Sequence, residues 1–306
     1  MKRKLEIIFQ ISFVCLCIKI FYFDRHSLSS IQEIMDAKLF YLFILMVLLN
    51  SFLTFLFHSI LLIISKNKLK LNNTIEIFLQ GGIINQIVPT AGHFYRYYKF
   101  NKIGNINIAE YSTSQAVFSI SSIIAYTSLG IIFGLFYTVE FNIYGISIVI
   151  ILSAPIFIYI KLKDKIKKYI KLNLNKISRL SHFIDDISEI KNIIKNNIIN
   201  FGYISIGFLI LTFFECYAFY ALLKLYNIEL SFPIAAMLWI STSLIHVLAI
   251  INFLGLMEII LALSVTVIIE DSLGRILIVG FTHRILYLVS QILIILLNQT
   301  CKKIIK

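Results

Sequence analysis

The sequence predicts an all-α polytopic integral membrane protein with six to eight transmembrane helices, two of whose apolar segments are broken or re-entrant hairpins. Three observations carry this. The 306 residues are 59% hydrophobic and 14% charged, with a mean hydropathy of +0.88. Several apolar runs reach the roughly 20 residues that cross a bilayer as a helix. Two further runs are interrupted by glycine, proline or asparagine, and broken backbone at membrane depth survives only where protein buries it or it lines a wet cavity.

The first run, residues 5–23, lies behind Lys2, Arg3 and Lys4. Its basic flank resembles a signal peptide, but no small-x-small cleavage site follows, so a retained helix is expected. Crossings are then expected at 39–64, 111–139, 143–160, 198–223 and 276–298. The run 75–88 is short and ends at Pro89, while 233–263 is interrupted around Asn252 and Gly255. Read as hairpins that enter and leave one face, they keep six crossings and place both termini on one side. Two full crossings in place of the second hairpin leave the parity unchanged.

This gives an N-terminal transmembrane half, 1–160, with a re-entrant motif at 75–96. A basic linker, 161–197, joins it to a C-terminal half, 198–306, with its broken segment at 233–263. The first hairpin would enter from the cytoplasm and the second from outside, as in transporters built from inverted repeats. The plainer alternative is a chance division of a polytopic chain.

The formal charge of +12 is topological. Nineteen of the 28 Lys and Arg residues fall at the N-terminus, after the second run, in the linker and at the C-terminus. Alternating spans put all four segments on one side, and the positive-inside rule assigns that side to the cytoplasm. The expected location is a bacterial cytoplasmic membrane, with N- and C-termini inside. Nucleic acid is not an expected partner. In the linker, Ile166, Ile170, Ile177, Leu180, Ile184 and Ile187 recur largely at helical spacing beside many lysines. An amphipathic helix on the anionic inner leaflet and a solvated connector both fit.

The stretch 81–96, GGIINQIVPTAGHFYR, is the most polar interruption. Pro89 lacks a backbone donor and clashes with the preceding turn, so a helix through Ile83 and Val88 should break there. Arg96 follows the break, and with Glu215, Glu258 and Arg284 it places four ionisable residues at membrane depth. Each costs about 2.5–3.5 kcal/mol on insertion scales, together about 10 kcal/mol, comparable to the net stability of a domain. They must pair, snorkel or face water; Arg284 with Glu258 or Glu215 is the first pairing expected, and an ion-paired bundle without ligand is the structural alternative. Arginine's planar donors suit phosphate, and helix ends at a break add backbone donors. Candidate binding residues are Asn85, Pro89, Gly92, His93, Arg96, Gly255, Glu258 and Arg284. His93 and His283 could add charge near neutral pH, whereas His58 and His246 read as packing residues. Tyr95, Tyr97 and Tyr98 read as an interfacial aromatic belt. The four cysteines form no C-x-x-C pair, so no metal or other cofactor is expected.

These residues resemble the transmembrane, flippase-like region of the lysylphosphatidylglycerol synthases and its stand-alone relatives. Gly81, Asn85, Pro89, Gly92, Arg96, Gly104 and the small-polar run 112–114 carry the resemblance in the first half. Gly255, Glu258 and Arg284 carry it in the second. The chain departs from the family pattern in three places. His93 stands where an acidic residue is expected, residues 251–254 lack the usual proline and extra glycines, and an arginine expected near 115–118 is absent. The resemblance implies a lipid-translocating or lipid-handling role without the soluble aminoacyltransferase part.

The expected function is movement of a membrane phospholipid or polyprenyl-linked lipid between leaflets. Asn85, His93 and Arg96 would hold the headgroup, with Glu258 and Arg284 as an opposite half-site or gate. The alternatives are a non-catalytic partner of envelope-biosynthesis proteins, acting through the linker, and a membrane glycosyl- or phospho-transferase. The chain's 16 acidic residues are scattered, which favours translocation over chemistry.

Overall fold

The computed structural model describes residues 37–65, 69–87, 91–135, 196–248 and 273–304. Among these residues seven helices form: α1 (Ala37–Ser65), α2 (Leu71–Ile87), α3 (Ala91–Gly104), α4 (Ile108–Leu135), α5 (Ile198–Leu225), α6 (Phe232–Leu248) and α7 (Leu273–Ile304). Four stretches are long and apolar enough to cross a membrane: Lys38–Ser65, Ile108–Gly134, Ile198–Leu225 and Ile278–Lys302. They coincide with four of the six crossings expected from sequence; the other two, 5–23 and 143–160, lie outside the described residues, as do the linker up to residue 195, Pro89, Gly255 and Glu258. Large apolar side chains stand exposed along one face of each long helix, as with Ile206, Ile210, Phe213 and Tyr217 on α5. Such stripes are stable against hydrocarbon and costly against water. The chain is a helical, multi-pass membrane protein.

Local chemistry sets the helix limits. α2 stops at Ile87 and α3 begins at Ala91, on either side of Pro89. At the other end of α3, Gly104 is followed by Asn105 at φ 50°, a left-handed conformation that asparagine tolerates. Asn107 and Glu110 then bond each other's backbone N–H at 2.8 Å, a reciprocal cap that starts α4. Asn227, at φ 55°, turns the chain after α5.

Helix directions follow from cross-helix neighbours. Asn72 and Glu76 of α2 meet Asn298 and Lys302 of α7, while Gly82 lies beside Gln291. α2 therefore runs antiparallel to α7, and its C-terminal end reaches the middle of that long helix. α3 returns, because a Cβ on Gly104 would collide with Leu69 just before α2. Both ends of the α2–α3 hairpin thus lie at the C-terminal end of α7. With 17 and 14 residues, these helices are about 25 and 21 Å long, short of the ~30 Å hydrocarbon core.

α4 and α5 run parallel, with Phe118 against Phe208 and Tyr126 against Glu215. α6 runs antiparallel to both, packing Trp239 on Phe219 and Ile240 against Gly130. It therefore starts at the end of the bundle opposite to α2, and it too has 17 residues. The packing map carries a further regularity. Exchanging α1 with α5, α2 with α6 and α4 with α7 converts the α2–α7 pairing into α6–α4, α1–α2 into α5–α6, and α1–α7 into α5–α4, all of which occur. α1 and α5 pack on each other at the centre.

One core joins α1, α4, α5, α6 and α7 around Ile60, Phe208, Phe219 and Leu222. A second joins α1, α2, α3, α4 and α7 around Phe57, Leu79 and Phe100. Each core draws residues from both halves of the chain.

Candidate functional site

Arg96 lies on α3, buried to 8% exposure, against the facing wall of α2. Two glycines make room for it: a Cβ on Gly81 would strike its side chain, and one on Gly82 would sit 3.4 Å from its terminal nitrogen and 3.0 Å from Gln291 Nε2. Guanidinium and amide are therefore neighbours across α2, at the level of the middle of α7.

The guanidinium Nε donates to the Phe78 carbonyl at 3.0 Å, and its carbon lies 4.1 Å above the Phe78 ring. The cation–π contact and the hydrogen bond hold its plane. Among the described residues it meets no carboxylate within 4.0 Å.

The polar side chains around it are also incompletely satisfied. Tyr111 and Tyr287, from α4 and α7, share its electrostatic surroundings. Tyr111 lies beside Gln115, and Tyr287 beside Gln291. Among the described residues the Tyr111 hydroxyl, Gln115 Nε2 and Gln291 Oε1 are buried without a partner in good hydrogen-bond geometry. A buried polar group left so costs about 1–3 kcal/mol.

The other sequence candidates fall as follows. Asn85 accepts from the Gly92 N–H at 2.6 Å, so it satisfies the first turn of α3. A Cβ on Gly92 would collide with the Gly81 carbonyl oxygen. Asn85, Gly92 and Gly81 therefore clamp the hairpin that carries Arg96. His93 lies on α3, three residues before Arg96, with an exposed side chain that lies within the field of the guanidinium. Tyr95 donates to Gln80, Tyr97 packs on Tyr111 at 5.9 Å, and Tyr98 is exposed. Only Tyr98 of the three keeps the exposed position of an aromatic belt. His58 bonds Thr74 Oγ1 at 2.9 Å and ties α1 to α2, a packing role. Arg284 lies half-buried on α7.

Glu215 of α5, one of the two carboxylates expected beside Arg284, accepts from the Tyr126 hydroxyl at 3.0 Å; the other, Glu258, lies outside the described residues. The Trp239 indole lies beside the same carboxylate as Tyr126. Trp239 also faces His283, with ring centroids 4.5 Å apart. On the other side, Asn50 of α1 donates to Ser290 at 2.8 Å and accepts from Gln291 at 3.4 Å.

Sequence reasoning missed Gly82, Tyr111, Tyr126, Trp239, Tyr287 and Gln291. One signal was present: His283, Tyr287 and Gln291 recur every four residues, which sets them on one face of α7. No family model, curated protein or solved structure matches this chain.

Proposed function

We propose that this chain moves a phosphate-bearing lipid, or a lipid-linked glycan carrier, between the leaflets of a bacterial cytoplasmic membrane. The phosphate would be held by Arg96. One observation carries the reading: a buried guanidinium, pinned by Phe78, lacks a carboxylate among the described residues and has Tyr111, Tyr287 and Gln291 as polar neighbours. Phosphate oxygens match arginine's paired donors and would accept from the Tyr111 hydroxyl and the Gln115 amide.

The architecture supports transport over static binding. We read α2–α3 as a re-entrant hairpin, and α6 as starting its inverted counterpart from the opposite face. The exchange symmetry of helix pairings favours this. In such a design, one half rocks on the other around a site near the midplane. Lys70, Lys99, Lys102 and Lys302 lie on segments at the end that receives the C-terminus of α7, which favours that end as cytoplasmic. The ordered resemblance to the lysylphosphatidylglycerol synthase transmembrane region points the same way, to a stand-alone lipid-handling member.

The test is leaflet exchange of a fluorescent phospholipid in proteoliposomes. Exchange should require Arg96, so that Arg96→Gln falls to the protein-free rate while inserting at wild-type yield. Equal exchange by wild type and Arg96→Gln would remove the proposal.

A further inference from the structure

We infer that the residues between Arg96 and Glu215 recognise a zwitterionic headgroup, a phosphate with a primary ammonium on a short linker. Arg96 takes the phosphate and Glu215 the ammonium. This rests on the proposal that Arg96 holds a lipid phosphate, and adds the second charge of the ligand.

Two ionisable groups without an opposite charge within 4.0 Å among the described residues come from different helices, Arg96 from α3 and Glu215 from α5. The carboxylate of Glu215 accepts from Tyr126 at 3.0 Å and has the Trp239 indole beside it, and it meets no cation within 4.0 Å among the described residues. A carboxylate offers about four lone-pair sites, so these two neighbours leave room for a further donor. Arg96, for its part, spends Nε on Phe78 and leaves two terminal nitrogens for a ligand.

The two charges are joined by one face of α7. At one end of that face His283 meets Trp239, which lies beside Glu215. At the other end Gln291 meets Gly82, which lies beside the Arg96 terminal nitrogen. Between them Tyr287 lies in the field of both charges. Eight residues of helix separate the two ends of that face, about 12 Å. A phosphate and an ammonium two carbons apart, each reaching its partner through a hydrogen bond of about 2.8 Å, span a comparable distance.

The walls also suit an ammonium. Trp239, Tyr126 and Tyr287 are aromatic, and ring faces attract a desolvated cation beside a carboxylate. A ligand of single charge would leave Glu215 or Arg96 buried without a counter-charge. A ligand with both removes the two costs at once.

The experiment is binding of short-chain lipids to the full-length protein in detergent. Dihexanoyl phosphatidylethanolamine carries both charges and dihexanoyl phosphatidylglycerol the phosphate alone; soluble phosphoethanolamine serves as competitor. Wild type should bind the ethanolamine lipid at least 10-fold more tightly than the glycerol lipid. Glu215→Gln should erase that preference while keeping glycerol-lipid affinity, and Arg96→Gln should weaken both. Competition by phosphoethanolamine at matching concentration would make the free headgroup sufficient; competition by the lipid alone would place the requirement on the acyl chains as well. Both results keep the zwitterion. Equal affinity of wild type for the two lipids, lost in Arg96→Gln, would overturn the zwitterion and leave the phosphate reading standing. Binding indifferent to Arg96 would overturn both. The wild-type comparison needs no variant, so a misfolded Glu215→Gln does not rescue the idea.

Discussion

The Arg96 side chain is held by a carbonyl, an aromatic face and the space left by two glycines. Its planar fork matters as much as its charge. Arg96→Lys keeps the cation but loses the bidentate donors, so short-chain phospholipid affinity should fall about 10-fold or more, since a charge-assisted hydrogen bond contributes about 1.5–3 kcal/mol. Titration in detergent checks this; unchanged affinity would show that charge alone suffices. Gly92 tests the clamp. Gly92→Ala puts a methyl group into the Gly81 carbonyl and should destabilise the hairpin by about 1–3 kcal/mol, read as a lowered thermal midpoint. Gly202→Ala, with nothing within 4 Å of the new Cβ, should hold or raise that midpoint. Arg96, Asn85 and Gly92 were legible because polar and glycine residues stand out in an apolar run. Their division of labour was not: whether Asn85 faces a ligand or caps a helix depends on the crossing of two helices, which spacing along one strand of sequence does not encode. Tyr111, Tyr287 and Gln291 were harder still, since an isolated Tyr or Gln in an apolar helix has the same local pattern whether it faces lipid, core or ligand.

At the scale of helices, apolar length alone located α1, α4, α5 and α7 to within a few residues, because each must span hydrocarbon. Pro89 marked the break between α2 and α3 for the same local reason. The pairing of helices was not legible, as lipid-facing and core-facing apolar residues share one composition. An example is the seam between the start of α2 and the end of α7. Lys302 bonds Glu76 at 2.6 Å, Gln299 reaches the same carboxylate at 3.4 Å, and Asn298 donates to the Asn72 carbonyl at 2.8 Å. The ion pair is about one-third exposed, its side chains being 30% and 28% accessible, so it contributes little by itself, about 0–1 kcal/mol. Glu76→Lys should therefore lower the thermal midpoint only slightly, and adding Lys302→Glu should restore it. Failure of the exchanged pair to recover the loss would show that the seam is held by Asn298 and packing alone.

The whole bundle joins both halves of the chain in shared cores, and its two short helices start from opposite ends. That arrangement ties topology to function, because the ends must face different compartments for the site to serve two leaflets. Cys301, exposed near the end of α7, reports the assignment. In a background with Cys15, Cys17 and Cys216 changed to Ser, a membrane-impermeant maleimide should label Cys301 in inside-out vesicles and spare it in intact cells. Labelling in intact cells would reverse the orientation. Beneath all of this lies the Arg96 guanidinium as an anion holder inside the membrane, and native mass spectrometry of the detergent-purified protein measures it most directly. Wild type and Lys302→Gln should retain a phospholipid adduct that Arg96→Gln has lost; the same adduct at the same occupancy in Arg96→Gln would contradict the account.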